Sequence, residues 1–268
     1  MRKVLSIAGS DSGGGAGIQA DLKTISALGA YGMTAITAIT AQNTYEITSV
    51  VPLAGKLVAA QIRAILEDMG ADSIKIGMLY NEEIVLAVSK CLEEYREIPI
   101  VLDPVMISHS GNILLVPEAV GFVLEKLLPL TEVFTPNIPE AIYISGEQID
   151  TLEDMERVAK LLANLGCTAV LLKGGHLEGR QRVDVLYLGK SDTYHHFSTD
   201  TVESQNTHGT GCTLSSAIAV GLARGLSIER AVGNAKQYVY YSLVGGVSLG
   251  IGKGKGPLHH FFEGHSAL

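Results

Sequence analysis

Seven short, strongly apolar runs, interleaved with longer segments that carry an apolar residue at every third or fourth position, leave this chain few ways to fold. The runs are Lys3–Ala8, Met33–Ala41, Ser73–Met78, Ile98–Leu102, Val133–Thr135, Ala169–Lys173 and Val183–Leu188. Several are apolar throughout, as expected of strands covered on both faces of a largely parallel sheet. The periodic segments Ala16–Leu28, Lys56–Met69, Glu82–Tyr95, Pro117–Leu128 and Glu153–Leu165 read as the helices between them. Thr213–Arg224 and Ile228–Val244 read as a closing helical pair. Thr151 stands where it can cap its helix, and Gly166 follows that helix's last apolar residue. Such alternation predicts an α/β fold, a three-layer α/β/α sandwich with a central mainly parallel sheet. Residues 1–268 read as one domain, because no linker, repeat or composition shift divides them.

Composition narrows the function. With 47% hydrophobic residues in 268, the chain can bury a large core. A net charge of −8 without any basic run argues against nucleic-acid or acidic-membrane binding. The apolar stretch after Arg2 and Lys3 ends at Gly9, too short for a signal peptide or a membrane span. The three cysteines, Cys91, Cys167 and Cys212, are odd in number and lack a metal-ligand spacing, so a reduced cytoplasm is expected and zinc is disfavoured.

In open parallel sheets ligands sit beyond the carboxyl ends of the strands, so the residues just after each run carry the functional information. The first run leads into Gly9-Ser10-Asp11-Ser12-Gly13-Gly14-Gly15-Ala16-Gly17, where backbone can approach a ligand closely. A dinucleotide fingerprint competes for this loop, but the acidic residue expected about twenty positions on is missing. A Walker P-loop is excluded, because no Gly-Lys-Ser/Thr occurs. Gln42 follows the second run; its amide offers a donor and an acceptor to a heteroaromatic ring edge, or is simply a solvated loop amide. Asp103 follows the fourth run and offers a carboxylate to Mg²⁺ or water near a phosphate. Asn137 and Glu140 have capping-box spacing, which competes with a role at a hydrated Mg²⁺. Lys173, beside Gly174 and Gly175, can neutralise a transferring phosphoryl group. Last, the amides of Gly209, Thr210, Gly211 and Cys212 at a helix start form an anion cradle, unless this is a plain glycine turn capped by Thr210. Jointly these features describe phosphoryl transfer without a P-loop.

The segments AGSDSGGGAGIQADLKT (Ala8–Thr24), TAQN (Thr40–Asn43), KIGML (Lys75–Leu79), VLDPVM (Val101–Met106), TPNIPEA (Thr135–Ala141), LLKGGH (Leu171–His176) and NTHGTGC (Asn206–Cys212) resemble signatures of the ribokinase superfamily. Within it the chain resembles the vitamin kinase branch, and there the hydroxymethylpyrimidine/phosphomethylpyrimidine kinases of thiamin biosynthesis. The resemblance implies a ribokinase-like sandwich, a homodimer, and use of ATP with Mg²⁺. It implies hydroxymethylpyrimidine and its monophosphate as substrates, phosphorylated in turn to the diphosphate. Gln42, Gly9, Asp21 and Met78 would line the pyrimidine pocket. Lys173, Asn137 and Thr207 would meet the nucleotide, and Asp103 and Glu140 the metal. Cys212, Gly209, Thr210 and Gly211 would form the catalytic anion hole with Lys173. Many superfamily members have Asp where Cys212 stands, so the thiol is either the base for the hydroxymethyl proton or a small packing residue. His109 departs from the Lys or Thr of many relatives, which leaves a pyridoxal/pyridoxine kinase as the alternative. A non-catalytic nucleotide or vitamin sensor is the alternative from another class. The lysines of Gly252-Lys253-Gly254-Lys255-Gly256-Pro257 are either phosphate contacts or solvated.

Overall fold

The computed structural model describes residues 1–107, 111–175 and 181–262. Among the described residues nine strands form one sheet: β1 (Lys3–Asp11), β2 (Tyr31–Gln42), β3 (Ile47–Pro52), β4 (Ser73–Ile76), β5 (Ile100–Leu102), β6 (Val133–Phe134), β7 (Ala169–Leu172), β8 (Gln181–Leu188) and β9 (Thr193–Asp200), in the order β3-β2-β1-β4-β5-β6-β7-β8-β9. The six strands from β2 to β7 are mutually parallel, and β3, β8 and β9 join antiparallel at the rims. All seven expected strands are present, with ends displaced by a few residues. The two additional strands, β3 and β9, are rim strands with few buried residues; ITSVVP is broken by Thr48-Ser49 and TYHHFSTD is largely polar, so neither carries a continuous apolar signal.

The helices are α1 (Gly17–Ala27), α2 (Gly55–Asp68), α3 (Glu82–Leu92), α4 (Pro117–Phe122), α5 (Ile138–Ser145), α6 (Leu152–Ala163), α7 (Thr210–Ala223) and α8 (Ile228–Gly246). Thr151 accepts the Asp154 amide and completes a capping box, as its position predicts. The expected helix Pro117–Leu128 is shorter as an α-helix, because a π-helical turn over Val123–Leu127 and a tight turn carrying Pro129 end it.

Side-chain alternation along the strands builds the three layers. Leu5, Ile7, Ile100, Leu102, Val170 and Leu172 face α2, α3, α4, α5 and α6, while Val4, Val101, Ala169 and Leu171 face α1, α7 and α8. Burying each of the larger side chains contributes roughly 1.5–3 kcal/mol, so the sheet is a rigid platform for whatever its carboxyl edge carries. β1 is followed in sequence by β2 on one side and flanked by β4 on the other, which makes the β1/β4 edge the topological switch point. No helix among the described residues is long and apolar enough to cross a membrane.

Candidate active site

The switch point is shaped by glycine. The β1–β2 register shifts between Ala8 and Ser10, so Gly9 sits at an irregularity in the parallel pairing, which resumes at Ser10 and Asp11. A Cβ at Gly9 would lie 2.9 Å from the Met78 sulfur, which packs there because glycine leaves the space. Gln42 ends β2, tied to the glycine-rich loop by its backbone amide donating to Ser12 Oγ and its carbonyl accepting from the same hydroxyl, each at 2.8 Å. Gly9 and Met78 are in contact, while Gln42 meets the glycine-rich loop further along, at Ser12 and Gly13.

Asp11 organises the loop itself. Its carboxylate accepts the amides of Gly13, Gly15 and Ala16 at 2.8–3.0 Å. His208 Nε2, from the far end of the sequence, lies 2.9 Å from the same carboxylate. Burial works against the charged form, but the His208 contact and the amides outweigh it and hold the Asp11 carboxyl below its ordinary range. His208 Nε2 also lies 3.1 Å from Gln42 Nε2. A proton on His208 Nε2 satisfies Asp11, and the Gln42 amide must then turn its oxygen to the ring, so His208 dictates the orientation of Gln42. Neither Asp11 nor His208 emerges as a site residue from the sequence. They are 197 positions apart and share no local pattern.

Gly209 joins this loop to α7. It is the N-cap residue with φ of 86°, and a Cβ there would overlap the Gly15 carbonyl oxygen. The helix therefore begins at Thr210, a turn earlier than its apolar pattern suggests, and the cap is glycine backbone in place of the Thr210 side chain. The Thr210 hydroxyl instead donates to the Thr207 carbonyl at 2.7 Å, which is how Thr207 enters the turn. As first-turn groups, the amides of Thr210, Gly211 and Cys212 have no intrahelical carbonyl to bond, and the helix dipole adds positive potential there.

Facing the cradle is a buried charge cluster. Lys173 Nζ donates to Asp103 Oδ1 at 2.8 Å, with side chains only 15% and 3% exposed. A Cβ on Gly211 would stand 3.3 Å from Asp103 Oδ2 and 3.5 Å from Lys173 Nζ, so the pair abuts the cradle backbone. Ser215 and Thr135 add longer contacts of 3.4 Å to Asp103. Burial would drive the Lys173 ammonium down, but Asp103 and Glu140 more than offset it and keep the group charged. Asn137 and Glu140 form a complete capping box on α5, with Asn137 accepting the Glu140 amide at 2.9 Å and Glu140 accepting the Asn137 amide at 2.8 Å. Capping does not exhaust Glu140. Burial, against the pull of Lys173 and with Asp103 repelling, raises its carboxyl to about 7.

A family model described as phosphomethylpyrimidine kinase matches residues 11–259. The chain is 48% identical over 258 residues to a hydroxymethylpyrimidine/phosphomethylpyrimidine kinase of Rhizobium meliloti, covering 96% of each protein. The chain belongs to the phosphomethylpyrimidine kinase family. Among solved structures it resembles the phosphomethylpyrimidine kinase of Clostridium difficile, with 46% identity, a TM-score of 0.79 and coverage of 90% of this chain and 98% of that one. It also resembles a Bacillus subtilis pyridoxal kinase solved as an ADP complex, with 37% identity, a TM-score of 0.87 and 97% coverage of both. The ribokinase-like sandwich is thereby established.

Two residues of this phosphomethylpyrimidine kinase family member need separate placement. Cys212 is half-buried in the first turn of α7. Burial pushes the thiol up to about 11, with Lys75 pulling against it and Asp21 and Asp103 adding to it. Asp21, expected on the pocket wall, is fully buried and sealed beneath the site. Both its oxygens are taken by Lys75 Nζ at 2.9 Å, with Ser6 and Ser216 donating at 2.6 and 2.8 Å. Lys75 was legible only as part of the KIGML signature. A lysine inside an otherwise apolar strand is the signal that would have found it. His109 and His176 lie outside the described residues.

Proposed function

We propose that this phosphotransferase moves the γ-phosphoryl group of ATP to the hydroxymethyl oxygen of hydroxymethylpyrimidine, and then a second one to the monophosphate, in thiamin biosynthesis. The observation that carries the reading is the meeting of the Lys173–Asp103 pair with the α7 amide cradle. A loose phosphoryl-transfer transition state spreads charge over its equatorial oxygens, and a fixed cation with oriented amides stabilises that charge most. Gln42, set by His208, reads the aminopyrimidine edge, with Gly9 and Met78 as walls. Cys212 stands at the acceptor oxygen as the base for its proton. Thr207 and Asn137 border the nucleotide side.

Among the described residues no group of three or more His, Cys, Asp or Glu side chains forms a metal cage. Two neighbouring acidic groups, Asp103 and the buried Glu140, suit Mg²⁺, which is commonly held by one or two carboxylates plus substrate phosphates. When bound, Mg²⁺ supplies charge neutralisation at the phosphates. Lys173 orients Asp103 toward that position, and the Glu140 proton would leave as the cation arrives.

A pyridoxal kinase is the second reading, supported by the likeness to the Bacillus subtilis enzyme. The three free thiols support a cytoplasmic setting. Ile39 and Val51, paired across β2 and β3 and both largely exposed, support a homodimer, which sedimentation would test. The function is tested by incubating the protein with MgATP and hydroxymethylpyrimidine and following products by phosphorus NMR. Successive mono- and diphosphate signals are expected. Phosphorylation of pyridoxal in strong preference overturns the substrate, and nucleotide binding without transfer to either alcohol leaves a sensor.

A further inference from the structure

The ladder between β7 and β8 ends at the pair Leu172 and Val185. The next two residues of the chain are anchored in other ways. Lys173 donates its amide to the Pro136 carbonyl at 2.9 Å, in the loop that follows β6. Gly174 donates its amide to Asp184 Oδ1 at 2.9 Å, a side chain of β8 in place of a strand carbonyl. Gly174 is buried, and a Cβ there would overlap the Val183 carbonyl oxygen, so only glycine lets the chain pass β8 this closely. The other Asp184 oxygen accepts Lys236 Nζ from α8 at 2.7 Å. Asp184 is 4% exposed and Lys236 8%.

Apolar residues of similar volume often replace a buried ion pair without loss of stability, so stability alone is a weak account of this one. An apolar residue would, however, leave the buried Gly174 amide without the acceptor that Asp184 supplies. Strand alternation sets the consequence for the site. Leu171 and Leu186 are register partners on the face toward α7 and α8. Lys173 stands two residues after Leu171 and Asp184 two residues before Leu186, so both take that same face. The Asp184 oxygens are engaged by Gly174 and Lys236, and the Lys173 ammonium goes to Asp103 beside the Gly211 backbone.

We propose that Asp184, locked by Lys236, is a positioning residue for Lys173: through the Gly174 amide it fixes the backbone from which that ammonium is aimed at the α7 cradle. The inference rests on the reading of Lys173 as the cation at the transferring phosphoryl group. Pro136 anchors the turn at Lys173 and Asp184 anchors it one residue on. Without the second anchor the ammonium shifts against the cradle amides, and a misplacement of about 1 Å already costs on the order of 100-fold in rate.

A pair of double variants tests this. Asp184→Asn with Lys236→Met and Asp184→Ala with Lys236→Met both remove the ion pair, so neither leaves one of its charges unpaired. Only the asparagine keeps an oxygen for the Gly174 amide. Both are compared with wild type and Lys173→Met by steady-state kinetics, and by binding of ADP alone and of ADP with aluminium fluoride in the presence of hydroxymethylpyrimidine. The alanine variant is expected to lose about tenfold in kcat, and about tenfold in the affinity that aluminium fluoride adds, with KM for the pyrimidine unchanged. The asparagine variant is expected to stay within about threefold of wild type in both quantities. Equal values in the two double variants overturn the proposal, as does a loss confined to KM. Should the alanine variant not fold, Asp184→Val with Lys236→Met fills the space without an acceptor and takes its place. If Lys173→Met leaves the added affinity undiminished, the reading of Lys173 fails and this proposal with it. If Lys173→Met loses it while the double variants match, only the positioning role fails.

Discussion

Adding one methyl group at Gly209 should separate conformational strain from damage to the site. Gly209 has φ of 86°, and its Cβ would overlap the Gly15 carbonyl oxygen, standing 2.9 Å from Gly15 C and 3.3 Å from Ala16 Cα. All three are backbone atoms, so no side chain can swing aside. Gly225, beyond the other end of α7, has φ of 77° and nothing within 4 Å of its Cβ position, which makes it the matched control. Left-handed backbone costs an alanine roughly 1–2 kcal/mol, so each variant should lose a few degrees of Tm, at about 2–4 °C per kcal/mol for a domain of this size. Only Gly209→Ala must also part the glycine-rich loop from the α7 cradle, by about 1 Å, and a displacement of that size costs on the order of 100-fold in rate. Steady-state kinetics with ATP and hydroxymethylpyrimidine, beside thermal denaturation, give both quantities. We expect kcat to fall about 100-fold in Gly209→Ala and to stay near wild type in Gly225→Ala. Equal kcat values in the two variants would refute the reasoning that this backbone contact sets the cradle.

Three further outcomes follow from the site. Cys212→Ala should lower kcat by about 100-fold or more with little change in pyrimidine affinity. Because the thiol lies up at about 11, wild-type kcat should climb with pH through the alkaline range, and that climb should vanish in the variant; unchanged turnover would leave the thiol a packing role. For Glu140, whose carboxyl is raised from 4.5 to about 7, the unfolded chain ionises first, so wild-type stability should decline between those values as pH rises. Glu140→Gln, which keeps an oxygen for the Asn137 amide, should escape that decline and gain on the order of 3 kcal/mol relative to wild type by pH 8, as measured by urea denaturation at pH 5 and pH 8. His208→Ala should raise KM for the pyrimidine about tenfold, since it frees Gln42, and should also lower kcat, since it takes a partner from the Asp11 that shapes the loop against Gly209; an unchanged KM would contradict the role given to His208.

The central strands were legible because burial on both faces demands continuous apolar runs, which survive in Ile100–Leu102 and Ala169–Leu172. β3 and β9 were not, because rim strands have no such demand. Lys173, Asp103 and the α7 cradle could be read from their positions at strand ends and helix starts. Asn137 and Glu140 were ambiguous for a physical reason: the atoms that cap α5 are those offered to a cation, and the formed capping box leaves Glu140 buried beside Asp103. Contacts between distant segments were invisible. His208 with Asp11, Gly209 with Gly15 and Lys75 with Asp21 depend on register and topology that no local pattern encodes.

The central claim is that Lys173 and the α7 amides hold the phosphoryl group in flight. Binding of ADP with aluminium fluoride, which mimics the transferring group, in the presence of hydroxymethylpyrimidine tests it most directly. Titration of wild type and Lys173→Met should show similar affinity for ADP alone. The ternary mimic should bind wild type far more tightly than ADP does, and that gain should fall by about 100-fold in Lys173→Met. An undiminished gain in the variant would contradict the account.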